Sequence, residues 1–343
     1  MNQQTSPSNL GLVKPSSPLT AVRNLLVADR NMSYLLVILL AALGAYLYTL
    51  RSQSIFSCPA SGYGADTYLA YCHANHYGDY DHGAFWFGLE PKIRDSVRTA
   101  NVLFLGNSRL QFGFTSDATR EWFASNTASY YLMGFAYWEN YLFEQQLLRR
   151  LQPQAKVYVI NIDTFFENSE TPPAQILMHG SDATDRYNSK RSWQRIHAQV
   201  CGRFPLACGS DQAFFRSRTT GGYFLEGGRV TNVPVAYDDN VDQKMAHDYI
   251  ERGNRFLATL PVERQCVLLT MVPSAHTPIG TARVIADALG AKLIAPEPDD
   301  VNTFDKSHMD RASAEIWSKD FFEAAGPRIR RCLGKAPAVY ARN

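Results

Sequence analysis

The sequence predicts an α/β protein with a doubly wound, mostly parallel sheet and one N-terminal transmembrane helix. Short, continuously apolar segments are typical of strands buried on both faces, and helical segments alternate with them along the chain. A third observation predicts the membrane helix, an uncharged run of seventeen residues at 34–50. As a helix, such a run spans about 25 Å, which is enough to cross the apolar core of a bilayer.

The N-terminal tail, residues 1–31, is polar and rich in Ser, Pro, Asn and Gln, which predicts a disordered segment. Its basic residues Lys14, Arg23 and Arg30 place it in the cytoplasm by the positive-inside tendency. We therefore predict a transmembrane helix at 32–51, with the rest of the chain outside.

A cleaved signal peptide is the alternative for the same apolar run. The polar segment before it is longer than a signal peptide allows, and the run exceeds the usual signal core. An uncleaved anchor is therefore favoured.

All six cysteines follow the apolar run, in the part of the chain predicted to face an oxidising compartment. Six cysteines allow fifteen connectivities, and the sequence does not choose among them. Joining sequence neighbours pairs Cys58 with Cys72 and Cys201 with Cys208, which leaves Cys266 for Cys332.

Residues 52–99 are predicted to be a connector pinned by the first of these disulfides. The connector contains His73, His76 and His82 close to two aspartates, but their spacing matches no standard metal-ligand pattern. We therefore expect neither a metal nor another cofactor.

The main domain is predicted at 100–334, with a flexible tail at 335–343. Its predicted strands are 102–105, 130–134, 157–163, 267–272 and 292–295. Its predicted helices begin at Asp117 after the capping residue Ser116, and follow at 137–151, 241–260, 280–289 and 311–325. Residues 165–239 form a polar insertion with a hairpin near two Gly-Gly pairs. The insertion is either a lid or binding loop or a simple variation among related proteins.

Ser108 follows the first predicted strand after a small-residue turn, where the carboxyl end of a strand presents functional groups. Asp305 and His308 lie three residues apart after the last strand, close enough to pair locally. A carboxylate that holds one imidazole nitrogen leaves the other free to take a proton from a serine. These residues predict Ser108 as nucleophile, His308 as base and Asp305 as its orienting acid.

Gly106-Asn-Ser-Arg109 and Asp305-Lys-Ser-His308 resemble the two catalytic motifs of the SGNH/GDSL hydrolase superfamily, over roughly residues 100–325. That resemblance implies a flavodoxin-like three-layer fold. It also implies an oxyanion hole made by the N–H of Ser108, the N–H of Gly134 and the side chain of Asn161.

Two departures from the family pattern leave alternatives open. The third motif reads Ile160-Asn-Ile-Asp163, so Asn161 either donates to the oxyanion or is a buried strand residue satisfied by backbone. Arg109 replaces the usual leucine, and it either contacts a polar substrate or pairs with Asp163 or Glu139. Arg109, Asp163 and His276 are possible substrate contacts. His276 is also a reserve base.

The charge balance, 34 basic against 32 acidic residues, argues against nucleic acid as a partner. With the anchor, the chain resembles the envelope-polymer modifiers of alginate acetylation and teichoic-acid D-alanylation, which act with multi-pass membrane acyltransferases. The resemblance implies a bacterial inner-membrane protein with a periplasmic domain that transfers or hydrolyses acyl groups, in the first place acetyl, on an exported glycan. A periplasmic lipase or esterase for small esters and a catalytically silent scaffold that binds glycan remain the alternatives.

Overall fold

The structure is a computed structural model that describes residues 18–73 and 77–334, and the chain divides between Leu50 and Arg51 into two units. The first helix, α1 (Pro18–Gln53), contains the stretch Met32–Thr49, which is long and apolar enough to cross a membrane and has no buried side chain. The predicted transmembrane segment is therefore a helix of suitable length and composition.

The helix α1 begins earlier than predicted, so residues 18–31 are helical rather than disordered. These residues contain several leucines, alanines and arginines, which favour a helix, and a proline is tolerated in a first turn. A helix also extends readily from a formed neighbouring turn. The remainder of the predicted tail, 1–17, and the predicted flexible end, 335–343, lie outside the described residues.

The second unit alternates strands and helices as predicted. The strands are β1 (Thr67–Cys72), β2 (Gly78–Asp79), β3 (Val102–Asn107), β4 (Tyr130–Phe135), β5 (Val157–Asn161), β6 (Ala213–Ser217), β7 (Tyr223–Glu226), β8 (Val233–Pro234), β9 (Val267–Thr270), β10 (Lys292–Leu293) and β11 (Asn302–Thr303). The helices after α1 are α2 (Asp81–Phe87), α3 (Ile93–Thr99), α4 (Ser108–Phe114), α5 (Asp117–Ser125), α6 (Tyr141–Leu151), α7 (Pro172–His179), α8 (Ala183–Arg203), α9 (Gln243–Leu257), α10 (Ile279–Leu289) and α11 (Arg311–Cys332).

The central sheet contains five parallel strands in the order β10-β9-β5-β3-β4. Counted along the chain within the sheet, this is the order 5-4-3-1-2, which is that of doubly wound flavodoxin-like sheets. The strand β3 lies between β5 and β4, so its carboxyl end is at the point where the strand order reverses. Ligands of open α/β sheets bind at such a point.

Alternate residues of β3 pack on opposite faces of this sheet, since side chains of a strand alternate in direction. Leu103 and Leu105 belong to one apolar cluster, covered in part by α6, α9 and α10. Val102 and Phe104 belong to the other, covered by α4, α5 and α11. Burial on both faces explains why the sequence of β3 is continuously apolar.

A second sheet, antiparallel and four-stranded in the order β2-β1-β6-β7, combines the predicted connector with the predicted insertion. The strands β6 and β7 form the predicted hairpin, whose turn contains Gly221 and Gly222. Residues 165–239 supply three strands, β6, β7 and β8, and two helices, α7 and α8, and β6 pairs with β1 of the connector. The interpretation of this segment as a lid or binding loop stays a prediction.

The longest helix of that segment, α8, was not predicted because polar residues occupy positions on its buried face. Gln194 donates to the carbonyl oxygen of Leu69 at 2.6 Å, and His197 lies between the carbonyl oxygen of Cys58 and the hydroxyl of Tyr63, both at 3.1 Å. Buried polar groups that are hydrogen-bonded in this way are tolerated, but they remove the apolar periodicity that reveals a helix.

Three disulfides form, Cys58–Cys72, Cys201–Cys208 and Cys266–Cys332, and they confirm the expected pairing. The third joins the residue before β9 to the last residue of α11. That helix continues through Pro327, beyond the predicted end at 325.

The two sheets meet at Arg216, a fully buried residue of β6. Its guanidinium pairs with Asp81 at 2.5 Å, and it donates to the carbonyl oxygens of Leu132 and Gly134 at 2.5 and 3.0 Å. Both carbonyls belong to β4, the edge strand of the central sheet. Gln111 donates to the same two oxygens, and the N–H of Leu132 donates to Thr220.

We expect Arg216→Met to lower the free energy of unfolding by about 3–5 kcal/mol, because Asp81 would remain buried without its counter-charge. The measurement is urea denaturation of the purified chain, with Asp81→Asn and the double variant as controls. The double variant should be more stable than the sum of the single changes predicts. Strict additivity would contradict the buried ion pair as the cause.

Candidate active site

Ser108 is the first residue of α4, directly after β3, and it is only 4% exposed. The preceding residue, Asn107, caps this helix by accepting the N–H of Arg109 on its side-chain oxygen at 2.9 Å. Asparagine is among the preferred N-cap residues. The helix α4 was not predicted, since the first helix expected in this domain begins at Asp117. The Asn107 cap was the available signal.

Asp305 and His308 lie in a tight loop between β11 and α11. The loop is closed by a hydrogen bond from the N–H of Phe304 to the carbonyl oxygen of His308, at 2.9 Å. The carboxylate of Asp305 accepts the N–H groups of Ser307 and His308 at 3.0 and 2.8 Å. Lys306, between Asp305 and Ser307, has a left-handed backbone with φ of 72°. The carboxylate is thus fixed by its own loop.

The structure brings Ser108, His308 and Asp305 together from opposite ends of the domain sequence. Ser108 Oγ is 2.7 Å from His308 Nε2, and His308 Nδ1 is 2.7 Å from Asp305 Oδ2. An ionised carboxylate only accepts hydrogen bonds, so Nδ1 carries the proton and Nε2 accepts the hydroxyl of Ser108. This arrangement can activate a serine hydroxyl for attack on a carbonyl carbon.

The pKa of Asp305 reflects two opposing effects. Burial by itself would raise it, but the hydrogen bond and charge of His308, with the two backbone N–H groups, lower the pKa below its ordinary value. The carboxylate is therefore ionised at neutral pH, which is the state that holds His308 in the tautomer described above.

Arg109 links the serine turn to the His308 loop. Its NH1 donates to Asp163 at 3.2 Å, and its Nε donates to the hydroxyl of Ser307 at 3.0 Å. Asp163 also accepts two hydrogen bonds at 2.9 Å from the side-chain amide of Asn107. Of the two ion pairs considered for Arg109, the structure contains the one with Asp163, while Glu139 pairs with His82 instead. Asn107 and Ser307 belong to this network and were not predicted.

Gly134 and Asn161 lie in the sheet beside Gly106. In the register of the sheet, Gly134 pairs with Gly106, and Asn161 follows the residue that pairs with Leu105. Both therefore flank the strand residue that precedes the serine turn. Their part in an oxyanion hole stays a prediction.

The side chain of Asn161 is fully buried and takes part in the sheet. Its oxygen accepts the N–H of Val272 at 2.9 Å, and its side-chain nitrogen has no hydrogen-bond partner among the described residues. Its oxygen is thus satisfied by backbone, whereas its nitrogen is a buried donor that is left over, so both alternatives for this residue stay predictions.

Close packing explains the glycines at this level. A Cβ on Gly134 would be 2.5 Å from the carbonyl oxygen of Asn107. Gly106 has φ of 152°, and its Cβ would be 3.0 Å from that of Asn161. Only glycine fits such approaches without displacement of the neighbours.

His276, the reserve base, is not part of the cluster. Its side chain is 73% exposed, and its imidazole lies 3.7 Å from the carboxylate of Asp238. The loop after β9 contacts the His308 loop instead through Ala275, whose N–H donates to the carbonyl oxygen of Lys306 at 3.0 Å.

Aromatic rings surround His308. Phe304 stacks on it with ring centroids 5.5 Å apart, and Phe112 and Phe214 contact it at 4.9 and 5.8 Å. Phe112 and Phe304 also line a pocket of about 640 Å³ at the edge strand β4, whereas Ser108 and His308 do not line it. The other lining residues include Arg120, Tyr223, Phe224 and Arg311.

One buried acid contacts the residue before the serine turn, and two more flank a buried histidine. Glu144 accepts the N–H of Gly106 at 3.0 Å, and burial raises its pKa well above the ordinary value. Glu139 and Asp79 flank His82 at 2.9 and 2.7 Å. Burial would lower the pKa of His82, but the two carboxylates raise it to about 10, so it is a buried cation at neutral pH.

The histidines of the connector do not form a metal site in the described part of the chain. His82 is occupied by its two carboxylates, and His76 lies outside the described residues. His197, Cys201 and Cys208 lie within 4.8 Å of one another, but both cysteines are in a disulfide, so they offer no thiolate to a metal.

No protein-family model, curated protein or solved structure matches the chain.

We expect Asp305→Asn to destabilise the fold in a pH-dependent manner. Because the folded pKa is lowered, the carboxylate stabilises the fold fully above its unfolded pKa of about 3.9, and loses this contribution as the pH falls through the folded pKa. Urea denaturation at several pH values measures the difference from the unsubstituted chain. The difference should be largest near neutral pH and vanish in acid. A constant difference would contradict the assignment.

Proposed function

We propose that the chain is a membrane-anchored serine acyltransferase or esterase of the SGNH type that modifies an exported envelope glycan, in the first place with acetyl groups. The observation that carries this proposal is the hydrogen-bonded chain from Ser108 Oγ through His308 to Asp305, with both distances at 2.7 Å. The flavodoxin-like strand order and the helix α11 directly after the His308 loop also support it.

In the proposed reaction, Ser108 Oγ attacks the carbonyl carbon of an ester while His308 Nε2 takes the serine proton. The tetrahedral intermediate collapses to an acyl-enzyme, and His308 gives the proton to the departing alkoxide. A glycan hydroxyl or water then attacks the acyl-enzyme and gives its proton to His308. The bond between the acyl group and Ser108 Oγ breaks, His308 returns the proton to Oγ, and the acyl group leaves as a new ester or as an acid. Asp305 stabilises the imidazolium that forms at both stages.

The proposed location rests on α1 and the disulfides. A single apolar helix near the N-terminus supports an inner-membrane anchor, and three disulfides support a periplasmic domain, because thiols pair and persist in oxidising compartments. The proposed acyl source is a multi-pass membrane acyltransferase, as in the glycan-modifying systems that the sequence resembles.

A catalytically silent, glycan-binding scaffold is the second candidate. The departure of the third motif, Ile160-Asn-Ile-Asp163, from the family pattern favours it, since preorganised oxyanion donors supply much of the rate of acyl transfer. The two candidates differ in whether Ser108 reacts, and that difference can be measured directly.

We expect a fluorophosphonate probe to label the folded chain at Ser108. Ser108→Ala should abolish labelling, and His308→Ala should slow it by about 10²–10⁴-fold, the usual contribution of a general base. His276→Ala is the matched control and should label at the unsubstituted rate. Labelling rates are read by gel fluorescence, with the labelled peptide identified by mass spectrometry.

Absence of labelling in the folded, unsubstituted chain would favour the scaffold. If Ser108 is labelled, deletion of the gene distinguishes a transferase from an esterase. Acetyl groups would disappear from the glycan without a transferase and increase without an esterase.

We expect Arg109→Met to slow labelling by about 10–100-fold, because small misplacement of a catalytic group costs rates of this size. Ser307→Ala should act in the same direction, and the double variant should be no worse than Arg109→Met, since both changes remove one link. Arg255→Met, at an exposed ion pair of α9, is the control. Additive losses would contradict the link between Arg109 and the His308 loop.

A further inference from the structure

The surface around the carboxyl end of α8 exposes four large apolar side chains, which we call the α8 surface: Trp193, Ile196, Phe204 and Leu206. Their exposed fractions are 48%, 43%, 62% and 88%. Scattered single apolar residues are ordinary on a protein surface, whereas exposed apolar residues that lie together mark interaction sites, and these four all fall within residues 193–206. Trp193 and Ile196 are three residues apart, so they share one face of the helix. This face is exposed, whereas the face that contains Gln194 and His197 is buried.

The end of this surface is held in place by covalent and hydrogen bonds. The disulfide Cys201–Cys208 closes the turn that contains Phe204 and Leu206. Within the turn, the N–H of Ala207 donates to Phe204 at 2.9 Å and the N–H of Cys208 to Pro205 at 3.1 Å. The two side chains are therefore presented outward by a closed turn, and their exposure follows from its geometry.

The charge of α8 is strongly one-sided. Residues 186–203 contain five basic side chains and no acidic one: Arg186, Lys190, Arg191, Arg195 and Arg203. Arg186, Arg195 and Arg203 are exposed. A helix that combines exposed aromatic and aliphatic residues with arginines suits a surface that is apolar inside and anionic at its boundary, as a bilayer with anionic headgroups is.

Arg51 gives this surface a position along the chain. It follows the apolar stretch Met32–Thr49 after one residue, and its guanidinium donates to the carbonyl oxygen of Leu206 at 3.3 Å. If the apolar stretch crosses the bilayer, the chain itself places Arg51 at the membrane surface, and the hydrogen bond places Leu206 there too.

We propose that the α8 surface lies in the interface of the anchoring membrane, with its apolar side chains at the boundary of headgroups and acyl chains and its arginines on anionic lipids. The inference rests on the membrane anchor of the proposed function and adds a second attachment to it. The domain is then held against the bilayer in one orientation, beside the membrane enzyme that would deliver the acyl group.

The test uses the full chain reconstituted in nanodiscs of phosphatidylcholine and phosphatidylglycerol with brominated acyl chains, which quench tryptophan at the apolar boundary. Trp193 is the reporter among five tryptophans, and Trp138 on the loop after β4, 59% exposed, is the matched control. We expect Trp193→Phe to remove most of the quenchable emission and Trp138→Phe to leave the quenched emission unchanged. Phe204→Ser with Leu206→Ser should reduce the quenching of Trp193 severalfold, and so should removal of phosphatidylglycerol.

A reporter in α1 separates failure of this inference from failure of the anchor. Leu40→Trp in the Trp193→Phe background should be strongly quenched if α1 is inserted. Quenching of this reporter without quenching of Trp193 overturns the docking proposal, leaves the anchor standing, and makes a protein partner the occupant of the α8 surface. Absence of quenching at both positions overturns the anchor and, with it, the docking. Labelling of Ser108 by the fluorophosphonate probe is independent of either result.

Discussion

Three strands approach so closely at Gly106 that no side chain fits between them, and the groups around Ser108 take their positions from this approach. Gly134 on one side and Asn161 on the other both lie at the level of Gly106. The strand β3 ends at Asn107, and α4 begins directly after it with Ser108. At the same position, the N–H of Gly106 donates a hydrogen bond to the side chain of a buried acid, Glu144.

The residues around Ser108 form a hydrogen-bond network that joins three segments distant in sequence. Asn107 caps α4 and clamps Asp163, Asp163 pairs with Arg109, and Arg109 reaches Ser307 in the loop of the base. Every member has at least two partners, which limits the positions that the His308 ring can adopt relative to Ser108. The aromatic rings of Phe112 and Phe304 pack on the remaining sides of the imidazole. The geometry of a nucleophile and its base therefore depends here on side chains that take no proton themselves.

The sequence predicted the parts of the fold and site whose signals are local. The strands of the central sheet are buried on both faces, so their composition alone marks them. Ser108 follows one of them directly, and Asp305 and His308 are close neighbours in sequence. All three could therefore be found without knowledge of the packing.

What the sequence did not predict depends on contacts between distant segments. The alignment of Gly134 and Asn161 with Gly106 is a matter of strand register, which neither strand encodes by itself. Ser307, one of the two side-chain partners of Arg109, lies 198 residues away from it. The helix α8 buries Gln194 and His197 because both form hydrogen bonds with residues of the connector. Polar residues on a buried face cannot be told from exposed ones until those partners are known.

The outer edge of β4 already forms hydrogen bonds with other parts of the domain. An unpaired strand edge is a template on which another chain can add a strand, through β-augmentation or aggregation. Here the outward carbonyls of Leu132 and Gly134 are occupied by Arg216 and Gln111, and the N–H of Leu132 by Thr220. The opposite edge, β10, is two residues long. Within the described residues, strand addition is therefore disfavoured at both edges of the central sheet.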